Sequence, residues 1–274
     1  KYSTAGKNVG DQIFIPASTD PDILPDTPSG VAIKSKLEKI TDGSVFIDRS
    51  SNDYLQVPAS TNFRLDGQYC IEFFLKLTEY SNDSVYVRTF VLDGPTGDGG
   101  GTNIHLNVNP SSGAILLWNG SSELIGAQLH VTGNWHHICL TRDSSNKTRL
   151  FVDGVLNGSA TITTDYDSNS GSPRPRLGAL GDTGGTSGYY SNWRIIKGSI
   201  PTEYQTSTTT LFDRAFYPPS EPLTTTSQGA TANDVKLLTC QTPTTYQIAA
   251  VAPLVSGVNS GTVWSSSVTS GSLF

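Results

Sequence analysis

The chain has 274 residues, of which only 15% are charged, together with 27 glycines and 15 prolines; this turn-rich, weakly charged balance suits many short strands and disfavours helices. Its formal net charge of −6 argues against nucleic acid or an anionic membrane surface as partner, since either would reward a basic face, and no apolar run approaches membrane-spanning length, so no membrane insertion is expected. The length is enough to bury a two-sheet core without staples. The odd cysteine count excludes a fully paired disulfide framework: Cys70, Cys139 and Cys240 read as small core hydrophobes of a protein assembled in a reducing cytoplasm.

In chain order, residues 1–42 come first as an extended arm, with Pro16, Pro21, Pro25 and Pro28 and few apolar positions beyond Ile13, Phe14 and Ile15. Residues 35–40 could hold one helical turn at most. Methionine is absent even at position 1, which implies processing or truncation upstream. The string IPASTDPD in the arm echoes VPASTNF at 57–63, too short a match to mean a duplicated domain. A body follows with strands expected near 45–48, 54–57, 69–77, 85–92, 103–108, 114–118, 126–130, 135–141, 148–152, 155–160, 175–180 and 189–197. Turns are expected at Asp66-Gly67, Asn119-Gly120, Asp153-Gly154 and Asn157-Gly158. Ile71, Phe73, Leu75 and Leu77 share one strand face, as do Ile104, Leu106 and Val108, so both faces are expected in the core. From Pro201 onward about a third of the residues are Ser or Thr, a linker-like bias, yet 235–238, 248–251 and 263–264 are apolar enough for strands that dock on the body or on a neighbour.

The densest pattern is WHHICLTRDSSNKTRLFVDGV, residues 135–155. Ile138 and Leu140 alternate with His137 and Cys139, a polar turn follows, Leu150 and Val152 alternate with Arg149 and Phe151, and Asp153-Gly154 suits a tight type I′ hairpin. This string resembles the laminin-G-like, concanavalin A-like jelly-roll family, in which a Trp-x-His strand leads through an Arg and a loop to a Leu-x-Val-Asp/Asn-Gly hairpin. GSVFIDRSSNDYLQVPASTNF (43–63), YCIEFFLKL (69–77) and SGYYSNWRIIKGS (187–199) are similar to the family's opening, next and closing strands. FYPPSEPLTTT and VKLLTC (235–240) resemble a C-terminal extension of laminin-G-like virion proteins of tailed bacteriophages. The resemblance, covering roughly 43–274, implies an all-β jelly-roll sandwich of two antiparallel sheets, divided as arm 1–42, jelly-roll domain 43–200 and C-terminal extension 201–274 with docked strands.

The fold hosts lectins, hydrolases and inert modules alike, so function must come from sites. Hydrolases of this fold use a Glu-x-Asp-x-(x)-Glu signature, but none of Glu38, Glu72, Glu79, Glu123, Glu203 and Glu221 has an acid two positions later, so no enzyme is expected. His136 and His137 point to opposite faces of a strand and cannot chelate one ion together; the resemblance implies a packed, hydrogen-bonded His near the adjacent sheet. His105 and His130 stand alone on strand-like segments. The loop from Asp93 to Asn103, with Asp98 and five glycines, offers hard oxygen ligands for calcium, and Asp182 in a second Gly-rich loop could meet it; no cofactor is required and calcium is the one ion allowed for. Trp118-Asn119 and Tyr189-Tyr190 are candidate saccharide platforms, while Trp135 and Trp193 are assigned to the core or the sheet edge. Four sequons, at Asn82, Asn119, Asn146 and Asn157, would matter only in a secreted eukaryotic protein.

The leading expectation is a non-enzymatic virion structural protein, a capsid decoration or tail or fibre subunit, assembled in the host cytoplasm with other virion proteins and copies of itself. The alternative is an adhesin binding host surface polysaccharide; a polysaccharide hydrolase or lyase ranks last.

Overall fold

The computed structural model describes residues 43–48, 53–78, 87–93, 103–109, 112–119, 123–127, 133–167, 172–178, 186–241, 250–251, 255–259 and 262–263. Among them there are strands and short 3-10 turns but no α-helix. One antiparallel sheet runs β1 (Val45–Ile47), β12 (Gly188–Lys197), β3 (Tyr69–Leu77), β8 (His136–Arg142), β9 (Lys147–Val152) and β10 (Val155–Thr161), with β13 (Val235–Thr239) continuing the β12 edge that β1 begins. The other has eight strands: β15 (Thr262–Val263), β14 (Ser256–Asn259), β2 (Tyr54–Gln56), β11 (Arg174–Leu177), β4 (Val87–Asp93), β5 (Ile104–Val108), β6 (Ile115–Trp118) and β7 (Glu123–Ala127).

Period-two alternation explains the sandwich. Tyr69, Ile71, Phe73, Leu75 and Leu77 of β3 face Ile104, Leu106 and Val108 of β5, Ile115 and Leu117 of β6, and Phe90 and Leu92 of β4 in one continuous core. Burying one such Leu, Ile or Phe side chain contributes roughly 1.5–3 kcal/mol. Arg142 closes one end of this core. Fully buried, it gives Nε to Gly67 O (2.8 Å), Nη1 to Thr164 O (2.6 Å) and Nη2 to Asp165 (2.9 Å), so a single guanidinium ties two loops to β8.

The Asp153-Gly154 hairpin is a two-residue turn with Val152 opposite Val155 and φ values of 53° and 74°, the mirror-image turn whose twist matches its strands. The expected turn at Asn157-Gly158 is instead a β-bulge inside β10: pairing with β9 resumes at Gly158 and runs on to Thr161, because continuing the ladder satisfies more backbone groups than a second turn would. The strand expected at 126–130 lies at Glu123–Ala127, where Ile125 opposite Leu117 keeps its side chain in the core; Glu123 and Gly126 disguise it as loop. β14, unmarked in the sequence by any apolar run, adds to β2 through backbone pairing. The expected helical turn at 35–40 and most of 248–251 lie outside the described residues.

Candidate functional site

Alternation sends the other half of the seven-stranded sheet outward: Cys70, Glu72, Phe74 and Lys76 on β3, His137, Cys139 and Thr141 on β8, Arg149 and Phe151 on β9, Arg194 and Ile196 on β12. Much of this face is covered. Residues after β12 fold back over it, and Ile200, Tyr204, Phe216, Leu223 and Ala230 join Cys70, Cys139, Phe151, Leu156 and Ile196 in a second buried apolar cluster. Phe216 is its keystone, with ring centroids 5.0 Å from Phe151 and 4.2 Å from Tyr204. The hairpin admits this cover because Gly154 has no side chain: a Cβ there would lie 2.0 Å from Phe216 O, and Gly154 O accepts from Ala215 N (2.8 Å).

Beneath the cover lies a fully buried polar latch. The Oε1 atom of Glu72 accepts from Arg194 Nε (2.9 Å) and Nη2 (2.7 Å), while Oε2 meets His137 Nε2 (3.0 Å) and accepts from Tyr204 Oη (2.8 Å). Arg194 also gives Nη1 to Thr224 O (2.7 Å) and Ser227 O (3.2 Å), so the same guanidinium holds β3 and the cover. Burial alone would raise the Glu72 pKa, but the Arg194 charge, aided by His137, outweighs it and holds the carboxyl at about 2. The Cys70 and Cys139 sulfurs lie 3.7 Å apart beside the latch; burial raises both thiols, which stay protonated and unreactive. All three cysteines are free and buried. His137 is therefore packed and hydrogen-bonded, to a neighbouring strand of its own sheet, while His136 turns the other way to Asp153 (2.6 Å).

Beyond the cover the face is half open. Phe46 on β1 and Tyr189 on β12 are paired, with rings 4.9 Å apart and crossed at 62°, and Trp135, at the lead-in to β8, lies 6.4 Å from Tyr189. Lys76 on β3, opposite Tyr189, sits between them. All four are half-buried. The row draws on four neighbouring strands, and its successive ring centroids, 4.9 Å and 6.4 Å apart, set it along the face with one ammonium beside it.

The predicted platform residues divide over the molecule. Tyr189 is in the row. Tyr190, its neighbour in sequence, points inward; fully buried, it bonds Thr186 and packs on Phe73, so it presents no ring face outward. Trp118 is half-buried on the outer face of the opposite sheet, edge-on to His105 at 5.9 Å and 89°, with Asn119 following it. Trp118 and Tyr189 therefore lie on opposite sides of the sandwich and cannot form one platform. Asp93 ends β4 fully buried, with Arg174 Nε at 3.4 Å and Arg176 Nη1 at 3.0 Å, two cations with which a calcium ion would have to compete. Asp98 and Asp182 lie outside the described residues, among which no group of three or more His, Cys, Asp or Glu side chains could hold a metal ion. Trp193 is buried in the core as expected, but Trp135, assigned to core or edge, is part of the outer row. Its parity with His137 and Cys139, against Ile138 and Leu140, was the signal.

Residues 49–201, more than half of the chain, match the family model described as the concanavalin A-like lectin/glucanases superfamily, a laminin-G-like group. The chain belongs to that superfamily. Comparison with curated proteins finds no match. Solved structures similar to this superfamily member include the heptameric SAP-like pentraxin from Limulus polyphemus (16% identity, 60% of this chain and 79% of that one, TM-score 0.43). Others are domain 4 of the extracellular arabinanase AbnA from Geobacillus stearothermophilus, in complex with arabinotriose (20%, 54% and 69%, 0.41), and the sialidase CBM40 of Ruminococcus gnavus bound to α2,3-sialyllactose (17%, 46% and 73%, 0.37).

A superfamily spanning lectins and glucanases turns attention to the carboxylates. Glucanase chemistry needs two that are open to substrate. In this member Glu72 is sealed and saturated, Asp93 faces two arginines, Asp143 takes Arg149 (2.7 Å) and two backbone N–H groups of its own turn, and Asp153 takes His136 and the His137 N–H.

Proposed function

We propose that this chain is a non-catalytic saccharide-binding domain whose half-buried aromatic row, Phe46, Tyr189 and Trp135 with Lys76, lies along an oligosaccharide. The row carries the reading. Ring faces accept the apolar C–H side of pyranoses, and a side-chain ammonium donates to hydroxyl or carboxylate oxygens, a few placed polar groups on an apolar bed being the usual composition of a ligand site. Glu72, Asp93, Asp143 and Asp153, each already engaged by cationic or backbone donors, are poorly placed to serve as a glucanase pair, which supports binding over turnover. Affinity electrophoresis against host-type surface polysaccharides tests it: Trp135→Ala and Tyr189→Ala should each weaken retardation at least tenfold, and unchanged retardation in both would refute it.

A second, compatible reading is a virion structural subunit, a capsid decoration or a tail or fibre appendage that displays the jelly roll outward. The cover favours it: of the segments similar to phage virion extensions, 216–226 folds onto the sheet and 235–240 supplies its edge strand β13, and Leu211 and Phe212 on the cover remain 51% and 62% exposed, available to a neighbouring subunit. Locating the chain in an image of an intact particle tests this, and its absence from particles would refute it.

A further inference from the structure

We propose a second saccharide site on the cover itself, built by Tyr217, Glu203, Gln228 and Ser220 and selective for neutral pyranosides. It extends the saccharide-binding reading but rests on separate residues, outside the family-matched span 49–201. These side chains line a recess of about 450 Å³ together with Ala215, Phe216 and Pro218.

The ring of Tyr217 is 77% exposed, the most open large apolar side chain among the described residues, yet its backbone is firmly held. Phe216, next to it, is locked in the second core; Ala215 N bonds Gly154 O, and Arg214 gives Nη1 to Asp153 O at 2.8 Å. An exposed aromatic on a rigid mount costs little ordering entropy when a ligand stacks on it. Arg214 lies over the ring at 5.2 Å, which leaves the remaining face for a sugar.

The polar half is preorganised too. Glu203 stands on the 3-10 turn Thr202–Tyr204, whose Tyr204 is fixed by the Glu72 latch; Gln228 stands on the turn Ser227–Gly229 with φ 60°, ψ 22°, a left-handed backbone that a glutamine adopts only at a cost. The two turns are pressed together: a Cβ on Gly229 would fall 1.9 Å from Thr202 Oγ1. This arrangement brings Gln228 Nε2 to Glu203 Oε1 at 3.0 Å. Glu203 Oε2 and Gln228 Oε1 then remain as acceptors beside an aromatic face, the geometry that recognises two neighbouring sugar hydroxyls. The carboxylate repels uronic and sialic acids, and the guanidinium over the ring, Arg214, already gives Nη1 to the backbone carbonyls of Asp153 and Phe216, which favours a neutral ligand.

Titration calorimetry of the full chain with short neutral gluco-, galacto-, manno- and xylo-oligosaccharides, and with acidic ones as contrast, tests the site. Tyr217→Ala should lower affinity for a neutral oligosaccharide at least tenfold with an unchanged melting temperature, Tyr217→Phe should retain it, and Glu203→Gln should weaken it while relaxing the discrimination against acidic sugars. Binding lost in Tyr217→Ala but kept in Tyr189→Ala supports this site and separates it from the aromatic row. Binding equal in Tyr217→Ala and wild type, or a preference for acidic sugars, overturns it and leaves the row standing; no binding of any oligosaccharide by the wild type overturns both.

Discussion

Replacing Glu72 by Gln is the sharpest probe of the latch. The carboxylate receives four contacts from three side chains at 2.7–3.0 Å, all buried, and supplies the negative charge that the Arg194 guanidinium faces. An amide keeps the volume but only one acceptor oxygen; its NH2 group must confront either the Arg194 donors or the Tyr204 hydroxyl, and Arg194 is left buried with no counter-charge. Removing one partner of such a pair costs about 3–5 kcal/mol. The cost should fall first on the cover, since Arg194 and Tyr204 link it to the sheet, so limited proteolysis within 205–234 should accelerate before the jelly roll itself unfolds. Equilibrium denaturation with urea, followed by tryptophan fluorescence and run beside a proteolysis time course, measures both. The double replacement Glu72→Leu/Arg194→Met, which removes both charges, should be less destabilised than Glu72→Gln. A Glu72→Gln protein within 1 kcal/mol of wild type and cut no faster would refute the claim that this cluster holds the cover.

Acid should release the same latch. The Glu72 pKa is lowered in the folded chain, from an ordinary 4.5 to about 2, so its stabilisation is complete above 4.5 and is lost as pH falls toward 2; at about 1.4 kcal/mol per pH unit this is on the order of 3 kcal/mol, and a denaturation midpoint with the same acid dependence in Glu72→Gln would count against it. Gly154→Ala should strip the cover from the hairpin, because even one methyl group collides with Phe216 O: expect a loss of 2 kcal/mol or more, about the penalty of a strained left-handed residue plus part of the Phe216 burial, with an unchanged melting temperature as the refuting result. For calcium, Asp98→Ala spares the Asp93 ion pairs and should diminish the heat of calcium titration if the 93–103 loop holds an ion; equal heats remove the loop from consideration.

What the sequence made legible was local. β3 begins and ends where its alternation does, and the Asp153-Gly154 hairpin follows from two residues that tolerate positive φ, because neighbouring residues alone decide those features. The latch was not legible: Glu72 and Arg194 lie on different strands far apart in the chain and look like ordinary surface charges until topology sets β12 beside β3. The row was half legible. Tyr189 was visible as an aromatic beside glycine, but Phe46 joins it only through the β1–β12 register, and Tyr190 was misplaced because adjacent strand residues cannot share a face. The cover posed the opposite difficulty: a Ser/Thr-rich composition hid anchors as sparse as Tyr204, Phe216 and Leu223, each buried by a partner that the composition cannot name.

The order of strands in the seven-stranded sheet dictates when the molecule can be completed. Val45 and Leu75 both pair with Tyr190, so β1 and one edge of β3 have no partner until the chain has been made as far as β12. The β8–β9–β10 and β4–β5–β6–β7 meanders can close as they emerge, whereas β12 must bridge two long-separated strands and then receive β13 and the cover. During synthesis the β3 strand YCIEFFLKL is therefore a long apolar edge awaiting its neighbour, protected on one side only once β8 has formed. A ribosome paused before Gly188 would hold a chain that cannot close its sandwich, and the last elements to arrive are the ones that seal it.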